Sequence, residues 1–212
     1  MENILDLYNK PYNSKKPVIC VDEKPIVIHS EKREPIPCAP GRIAKRDYEY
    51  SRKGSANVFM AIEPLTGVFK ARPTKNRKAP EYAKFLGSIE RAHANAKTIH
   101  LVQDNLNTHT LKSLVKYYGS DEGERIWNRF TVHYTPKHAS WLNQAEIAIG
   151  IFSRQCLGKR RISEYSNLQN WLRLWLPKAN RKKKNINWKF TRMDARQKFR
   201  YKWNTKGVLI TR

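Results

Sequence analysis

Acidic residues are scarce in this 212-residue chain: 18 Asp and Glu stand against 42 Lys and Arg, giving a formal net charge of +24 and a pI near 10.2. That imbalance favours a polyanionic partner held through phosphate contacts, and nucleic acid is the natural one. Cysteine is almost absent as well. Cys20, Cys38 and Cys156 form no CxxC pair and cannot all be bridged, which excludes a disulfide scaffold. Cys20 and Cys156 lie in apolar runs and read as reduced core residues. No run of about 18 apolar residues exists for a membrane span, and no charged-then-apolar leader opens the chain. No basic helix with a clean apolar face is visible either. The expectation is a cytoplasmic, nucleoid-associated protein without a membrane partner. No internal repeat appears.

What is present argues for a folded body. Apolar residues make up 40% of the chain and six are Trp, far from the composition of a disordered basic tail. Residues 1–16 read as a polar lead-in. A β-rich stretch follows from Pro17 to His29, with a break expected at Pro25. Residues 30–54 read as a long basic loop. Strands are predicted at Ala56–Ile62 and Val68–Arg72, joined by the turn residues Glu63 to Gly67. Helical spacing runs from Pro80 to Ala96, and another strand over Thr98–Gln103. A short helix then carries Leu111, Leu114, Val115 and Tyr118, ending at the acidic run 121–124. Phe130–Tyr134 alternates as a strand. A helix is predicted from Ser140 through Cys156 and another over Leu168–Pro177, with a basic, irregular tail beyond. This order predicts an α/β protein: a mixed sheet with helices packed on it.

Three of the few acids border apolar segments: Asp22 after Val18–Val21, Asp104 after Ile99–Gln103, and Glu146 within Trp141–Glu146. An ionised carboxylate in such a place must be solvated, paired or metal-bound. If the three converge, they form a hard oxygen site suited to Mg²⁺. On spacing alone, each reads as an ion pair with a Lys or Arg rather than as a ligand. Glu23, on the opposite strand face from Asp22, reads as a structural ion pair. Asn105 either supports the site or satisfies the turn after its strand. His109 and His138 are open between ligand or phosphate contacts and ordinary structural roles.

Longer motifs surround these acids in order: Cys20-Val21-Asp22-Glu23-Lys24-Pro25, then Val102-Gln103-Asp104-Asn105-Leu106-Asn107-Thr108-His109, then Tyr134-Thr135-Pro136-Lys137-His138-Ala139-Ser140-Trp141-Leu142-Asn143-Gln144-Ala145-Glu146. Asp47-Tyr48-Glu49-Tyr50, Ser153 to Leu157, Ile186 to Phe190 and Asp194-Ala195-Arg196 add to them. Together they resemble the DDE catalytic domain of prokaryotic insertion-sequence transposases of the mariner superfamily.

The resemblance implies an RNase H-like fold over residues 17–180, with a lead-in at 1–16 and a basic extension at 181–212. It implies a catalytic and metal-binding triad of Asp22, Asp104 and Glu146 with two Mg²⁺ or Mn²⁺ ions. Such enzymes hydrolyse DNA at element ends and pass the freed 3′-hydroxyl to target DNA, as a homodimer on DNA. Asn143 would position substrate or the acid, or else begin its helix. The basic segments admit two readings: Arg42, Lys45, Arg46, Arg52 and Lys53, and separately Arg181, Lys182, Lys183 and Lys184, either contact DNA phosphates or form solvated stretches. Trp188 and Phe190 read as packing residues. Three features depart from the pattern. No helix-turn-helix region precedes the catalytic segment, so a separate recognition domain or polypeptide is expected. Asp104 and Glu146 have 41 residues between them, a long spacing that an insertion near Gly119–Glu124 would absorb. Ala139 stands where relatives often have Gly. Two other readings stay open: a catalytically idle DNA-binding remnant, and a stand-alone RNase H-like nuclease.

Overall fold

The computed structural model describes residues 1–203, 209 and 210; residues 204–208, 211 and 212, the end of the expected basic extension, lie outside them. The chain opens on a helix, α1 (Glu2–Tyr8), not on a bare lead-in. A seven-residue helix has little stability of its own. Burial of Ile4, Leu5, Leu7 and Tyr8 holds it to the domain.

Strand β1 (Val18–Glu31) runs antiparallel to β2 (Tyr50–Glu63), with Cys20 opposite Ile62 and Glu31 opposite Tyr50. Pro25 does not break β1. Pairing on the strand's other edge stops at Cys20, so Pro25 lies where only one neighbour is engaged and a missing N–H is tolerated. The long loop is therefore narrower than expected: residues 32–49 form an arm closed by bridges between Ile36 and Lys45 and between Ala39 and Arg42. Arg52 and Lys53 belong to β2 itself.

Next come β3 (Val68–Thr74), antiparallel to β2, then α2 (Ala79–Ala92) and β4 (Ile99–Gln103), parallel to β1. Helices α3 (Leu111–Tyr118) and α4 (Ser120–Trp127) lead to β5 (Phe130–Tyr134), parallel to β4. The sheet order is β3-β2-β1-β4-β5. The acidic run at 121–124, expected to end the preceding helix, is itself helical. Asp121 and Glu122 sit in the first turn, where the helix dipole favours anions. Gly123 allows close packing on α3, since a Cβ there would lie 2.7 Å from the Val115 Cα.

The segment expected to be one helix from Ser140 is divided. A 3₁₀ turn (Ser140–Leu142) is followed by extended Asn143, then α5 (Ala145–Phe152) and a π-helical turn (Ser153–Leu157). Helix α6 (Tyr165–Lys182) continues past Pro177. Trp175 and Ala179 are buried, the latter beyond the expected stopping point. The Asn180 amide also brackets Phe69 of β3, accepting from its N–H at 2.7 Å and donating to its carbonyl at 2.9 Å. The tail carries α7 (Arg192–Phe199), capped by reciprocal bonds between Thr191 and Asp194.

Alternation along the strands sorts side chains to two faces. Cys20, Met60 and Val102 face α1, α5 and α6. Ile19, Val21, Phe59 and Leu101 face α2, α3 and α4. The result is the expected mixed sheet between two helical layers.

Candidate active site

Register brings the first two acids together. Cys20 pairs with Val102 in the parallel β1–β4 ladder, and two residues further along both chains stand Asp22 and Asp104. Adjacent strands lie about 5 Å apart; Asp22 follows the alternation onto the α5 face, while Asp104, one residue beyond β4, has a carboxylate oxygen against His109. Asp22 lies within β1, just beyond the point where β4 stops pairing and β1 continues along β2 alone.

Asn143 ties α5 to this fork. Its Nδ2 donates to the Val21 carbonyl at 2.8 Å and to Asp22 Oδ2 at 3.2 Å, while its Oδ1 accepts from the Ala145 N–H at 3.2 Å. The side chain is buried, bonded both to the start of the helix and to the acid. Glu146 follows in the first turn of α5, its N–H donating to the Asn143 carbonyl at 3.0 Å, with an exposed side chain. Asp22 Oδ1 accepts from the Glu23 N–H at 2.8 Å. Burial pushes the Asp22 carboxyl up to about 7, against the pull of that amide, and the charges of Glu146, Glu23 and Asp104 push in the same direction as burial. Three acids therefore bear on Asp22.

Asp104 is held from the other face of the sheet. His109, wholly buried, places Nε2 3.0 Å from Glu23 Oε1 and Nδ1 2.6 Å from Asp104 Oδ1. The Nδ1–H is better aligned on the Asp104 main-chain oxygen at 3.4 Å. This leaves the buried Asp104 Oδ1 in ionic contact without an aligned hydrogen bond. Burial disfavours the charged ring, but bonds to Asp104 and Glu23 and their charges prevail and hold His109 at about 9. The ring stacks on Tyr82, centroids 4.5 Å apart and planes 23° apart. Gln103 accepts from the Tyr82 hydroxyl at 2.7 Å and donates to the His109 carbonyl at 3.2 Å, and the Tyr134 hydroxyl donates to that carbonyl at 3.0 Å.

Among the described residues, Glu23, Asp104 and His109 form the group whose potential ligand atoms lie within 4.8 Å of one another. Both His109 nitrogens already face carboxylates, so the proton-carrying ring itself supplies the cation between Glu23 and Asp104. Asp22, Asp104 and Glu146 supply hard oxygen donors, and the charges of Asp104 and Glu146 bear on Asp22, a chemistry suited to a divalent cation; among the described residues their oxygens are not gathered within 4.8 Å as those of Glu23, Asp104 and His109 are.

The remaining expected residues are spread out. Asn105 is exposed next to Asp104, and His138 is exposed in a left-handed conformation at φ 62°. Arg42 and Lys45 are exposed on the arm, and Arg52 and Lys53 are exposed on β2. Arg46 is ion-paired with Glu31. Arg181 to Lys184 lie at the opposite end of the strands from Asp104, because Lys184 packs on Gly67 and Ile186 donates to the Pro64 carbonyl at the β2–β3 turn. The sequence presents Glu23 as a structural pair and singles out none of Tyr82, Gln103 and Tyr134. The one local signal for them is Gln103, a polar residue on the same strand face as Ile99 and Leu101.

Residues 17–169 match the family described as DDE superfamily endonuclease. No curated protein matches the chain. Among solved structures, a Mos1 mariner paired-end complex with Mn aligns with a TM-score of 0.54 at 17% identity, over 85% of this chain and 56% of that one. A pre-cleavage Mos1 transpososome aligns at 0.52 and 16% identity, over 88% and 61%. The likeness extends to the RNase H-like fold, and the chain spans little more than half the length of these relatives. With the family matched over most of its length, the chain belongs to the DDE superfamily of endonucleases.

Proposed function

We propose that this chain is the catalytic core of a metal-dependent DNA transposase of the mariner type, from a prokaryotic insertion sequence. The observation that carries the reading is the placement of Asp22 on β1 and of Asp104 just past the end of parallel β4, each two residues beyond the last pair of the ladder, with Asn143 joining Asp22 to the helix that bears Glu146. In a DDE superfamily chain, these three acids are the natural metal ligands. A pair of Mg²⁺ or Mn²⁺ ions, when bound, would help activate the attacking oxygen and stabilise the leaving oxygen of a phosphodiester.

The chain's own residues do the positioning. Asn143 fixes Asp22 Oδ2, the Glu23–His109 pair fixes Asp104, and the Tyr82–Gln103–Tyr134 contacts pin the loop that carries His109. Cationic side chains of the arm and of β2 draw in the DNA backbone. Cleavage at an element end leaves a 3′-hydroxyl, which then attacks target DNA at the same site. The paired-end assemblies named for the Mos1 relatives are the reason to propose a homodimer on DNA, with element-end recognition by a helix-turn-helix domain or separate polypeptide. Residues 17–180 would be the catalytic domain, 1–16 its lead-in and 181–212 a basic extension, acting in the cytoplasm on nucleoid DNA.

The test is incubation of purified protein with labelled element-end DNA and Mg²⁺ or Mn²⁺, beside Glu146→Gln. Metal-dependent nicking followed by joining, abolished in the variant, is the expected result. Cleavage without joining would make the chain a nuclease, and DNA binding without cleavage in either metal would make it an idle remnant.

A further inference from the structure

An aromatic surface that none of the chemistry above uses is built around Trp141, two residues before Asn143 in the chain. Trp188 and Phe190 pack against the core as half-buried side chains. Trp141 and Phe199 lie over them and remain 39% and 47% exposed. The Trp141 indole is almost parallel to Trp188, 10° between planes and 6.4 Å between centroids. Phe190 meets it edge-on at 5.4 Å and Phe199 lies at 6.0 Å. Three separate segments thus deliver aromatic rings to one patch. The outer layer is left presenting apolar faces to water, an arrangement that signals a binding surface.

Its position and charge indicate the occupant. Trp141 stands two residues before Asn143, whose amide touches Asp22, so about 7 Å of chain at most separates their backbones. Lys189, Lys198 and Arg200 are exposed in the same segments, with Lys198 Nζ 5.9 Å from the Phe190 centroid. Cations interleaved with exposed rings suit a polyanion that also carries flat apolar faces. A paired duplex buries those faces within its own stack; an unpaired nucleotide offers them.

We infer that Trp141, seconded by Phe199, is a stacking platform for an unpaired nucleotide of the DNA strand running out of the catalytic site. This inference rests on the nucleic-acid reading of the site and adds to it a preference for splayed rather than fully paired DNA. Stacking contributions of the usual size correspond to an affinity change of about 5- to 140-fold per base.

The experiment measures binding in EDTA, so that no cleavage intervenes, to a blunt duplex and to the same duplex with a three-nucleotide unpaired tail. Tails are placed on either strand and carry 2-aminopurine. Wild-type protein is expected to bind the better-placed tail more tightly than the blunt end and to quench its fluorescence. Trp141→Ala should remove that advantage and the quenching while leaving blunt-duplex affinity within about twofold. Trp141→Phe should keep most of both, and Phe199→Ala should lose part, which leaves the test open if Trp141→Ala folds poorly. A wild-type protein indifferent to tails, or a Trp141→Phe variant that loses blunt and tailed DNA equally, overturns the inference. Failure to bind any DNA would instead overturn the nucleic-acid reading beneath it.

Discussion

The Asn143 amide donates at once to the Val21 carbonyl and to Asp22 Oδ2, so one side chain sets the distance between the sheet and the helix bearing Glu146. Replacing it with Ala leaves a buried main-chain carbonyl unpaired, a loss of about 1–3 kcal/mol. It also frees the Asp22 carboxylate to rotate. Asn143→Ala is therefore expected to lower the melting temperature and to slow metal-dependent nicking by at least about tenfold. Asn143→Asp, which replaces the donor to Asp22 with a further carboxylate, should push the Asp22 carboxyl higher still and slow nicking most at low pH. Unchanged nicking in both variants would remove Asn143 from the site.

Metal-free stability should carry the signature of Asp22. Its carboxyl rises in the folded state from the ordinary 3.8 to about 7, so between those values the folded protein binds more protons than the unfolded one. Stability contributed by this group accordingly falls as pH rises from about 4 to 7 and is level above. At 1.36 kcal/mol per pH unit, the upper bound is about 4 kcal/mol. His109 titrates later: its folded value near 9 exceeds the ordinary 6.5, so its contribution is complete below 6.5 and is lost as pH rises through 9. Asp22→Asn should then melt close to wild type at pH 4.5 in EDTA and progressively higher than wild type by pH 7.5. A difference that does not grow with pH would contradict the burial assigned to Asp22.

The Glu23–His109–Asp104 contacts make a sharper claim, because His109 and Glu23 are both buried. Glu23→Ala strips one partner from a buried cation and should destabilise by about 3–5 kcal/mol. Glu23→Gln keeps the shape and one acceptor and should cost less. A thermodynamic cycle with His109→Gln should give a coupling above about 1 kcal/mol between the two positions. Additive losses would mean that the ring is held by Tyr82 stacking rather than by charge.

Much of this is legible in the residues. The strand–helix order, the alternation that separates Asp22 from Glu23, and the place of Asp104 after Gln103 all follow from local pattern. What stays hidden depends on partners distant in sequence. Nothing local in residues 1–16 announces a helix, because α1 exists through what Ile4 and Leu5 bury against. Pro25 reads as a strand break until it is known that β4 leaves that edge of β1 free. Pro177 reads as a helix end, yet Asn180 is held by Phe69 from 111 residues away. Glu23 looks like one more ion-paired acid because its partner, His109, lies 86 positions along.

Gly67 should be intolerant of substitution. It sits at φ +69°, and a Cβ there would lie 2.4 Å from the Lys184 carbonyl oxygen, where the chain beyond α6 crosses the β2–β3 turn. Gly67→Ala is expected to destabilise by more than about 1 kcal/mol, the sum of left-handed strain and displaced backbone. Gly41, at φ +73° but with nothing within 4 Å of its missing Cβ, should lose only the strain component. Equal melting temperatures for the two variants would show that the tail is not seated on the turn.

The cations are separable by salt dependence. Removing one cation that neutralises a phosphate should reduce the slope of log affinity against log salt by about 0.9. Lys45→Ala and Lys53→Ala, exposed residues on the arm and on β2, are each expected to lower the slope by about that amount. Arg46 is engaged by Glu31, which Arg161 also grips, so Arg46→Ala should change the slope by much less. Arg161→Ala is different again. Its guanidinium donates to the carbonyls of Asp47, Tyr48 and Glu49 at 2.8, 3.2 and 3.2 Å, strapping the base of the arm to the body. Without that strap, DNA binding should weaken through disorder of the arm, seen as faster proteolysis within residues 32–49. An intact arm with reduced affinity would instead make Arg161 a direct phosphate ligand.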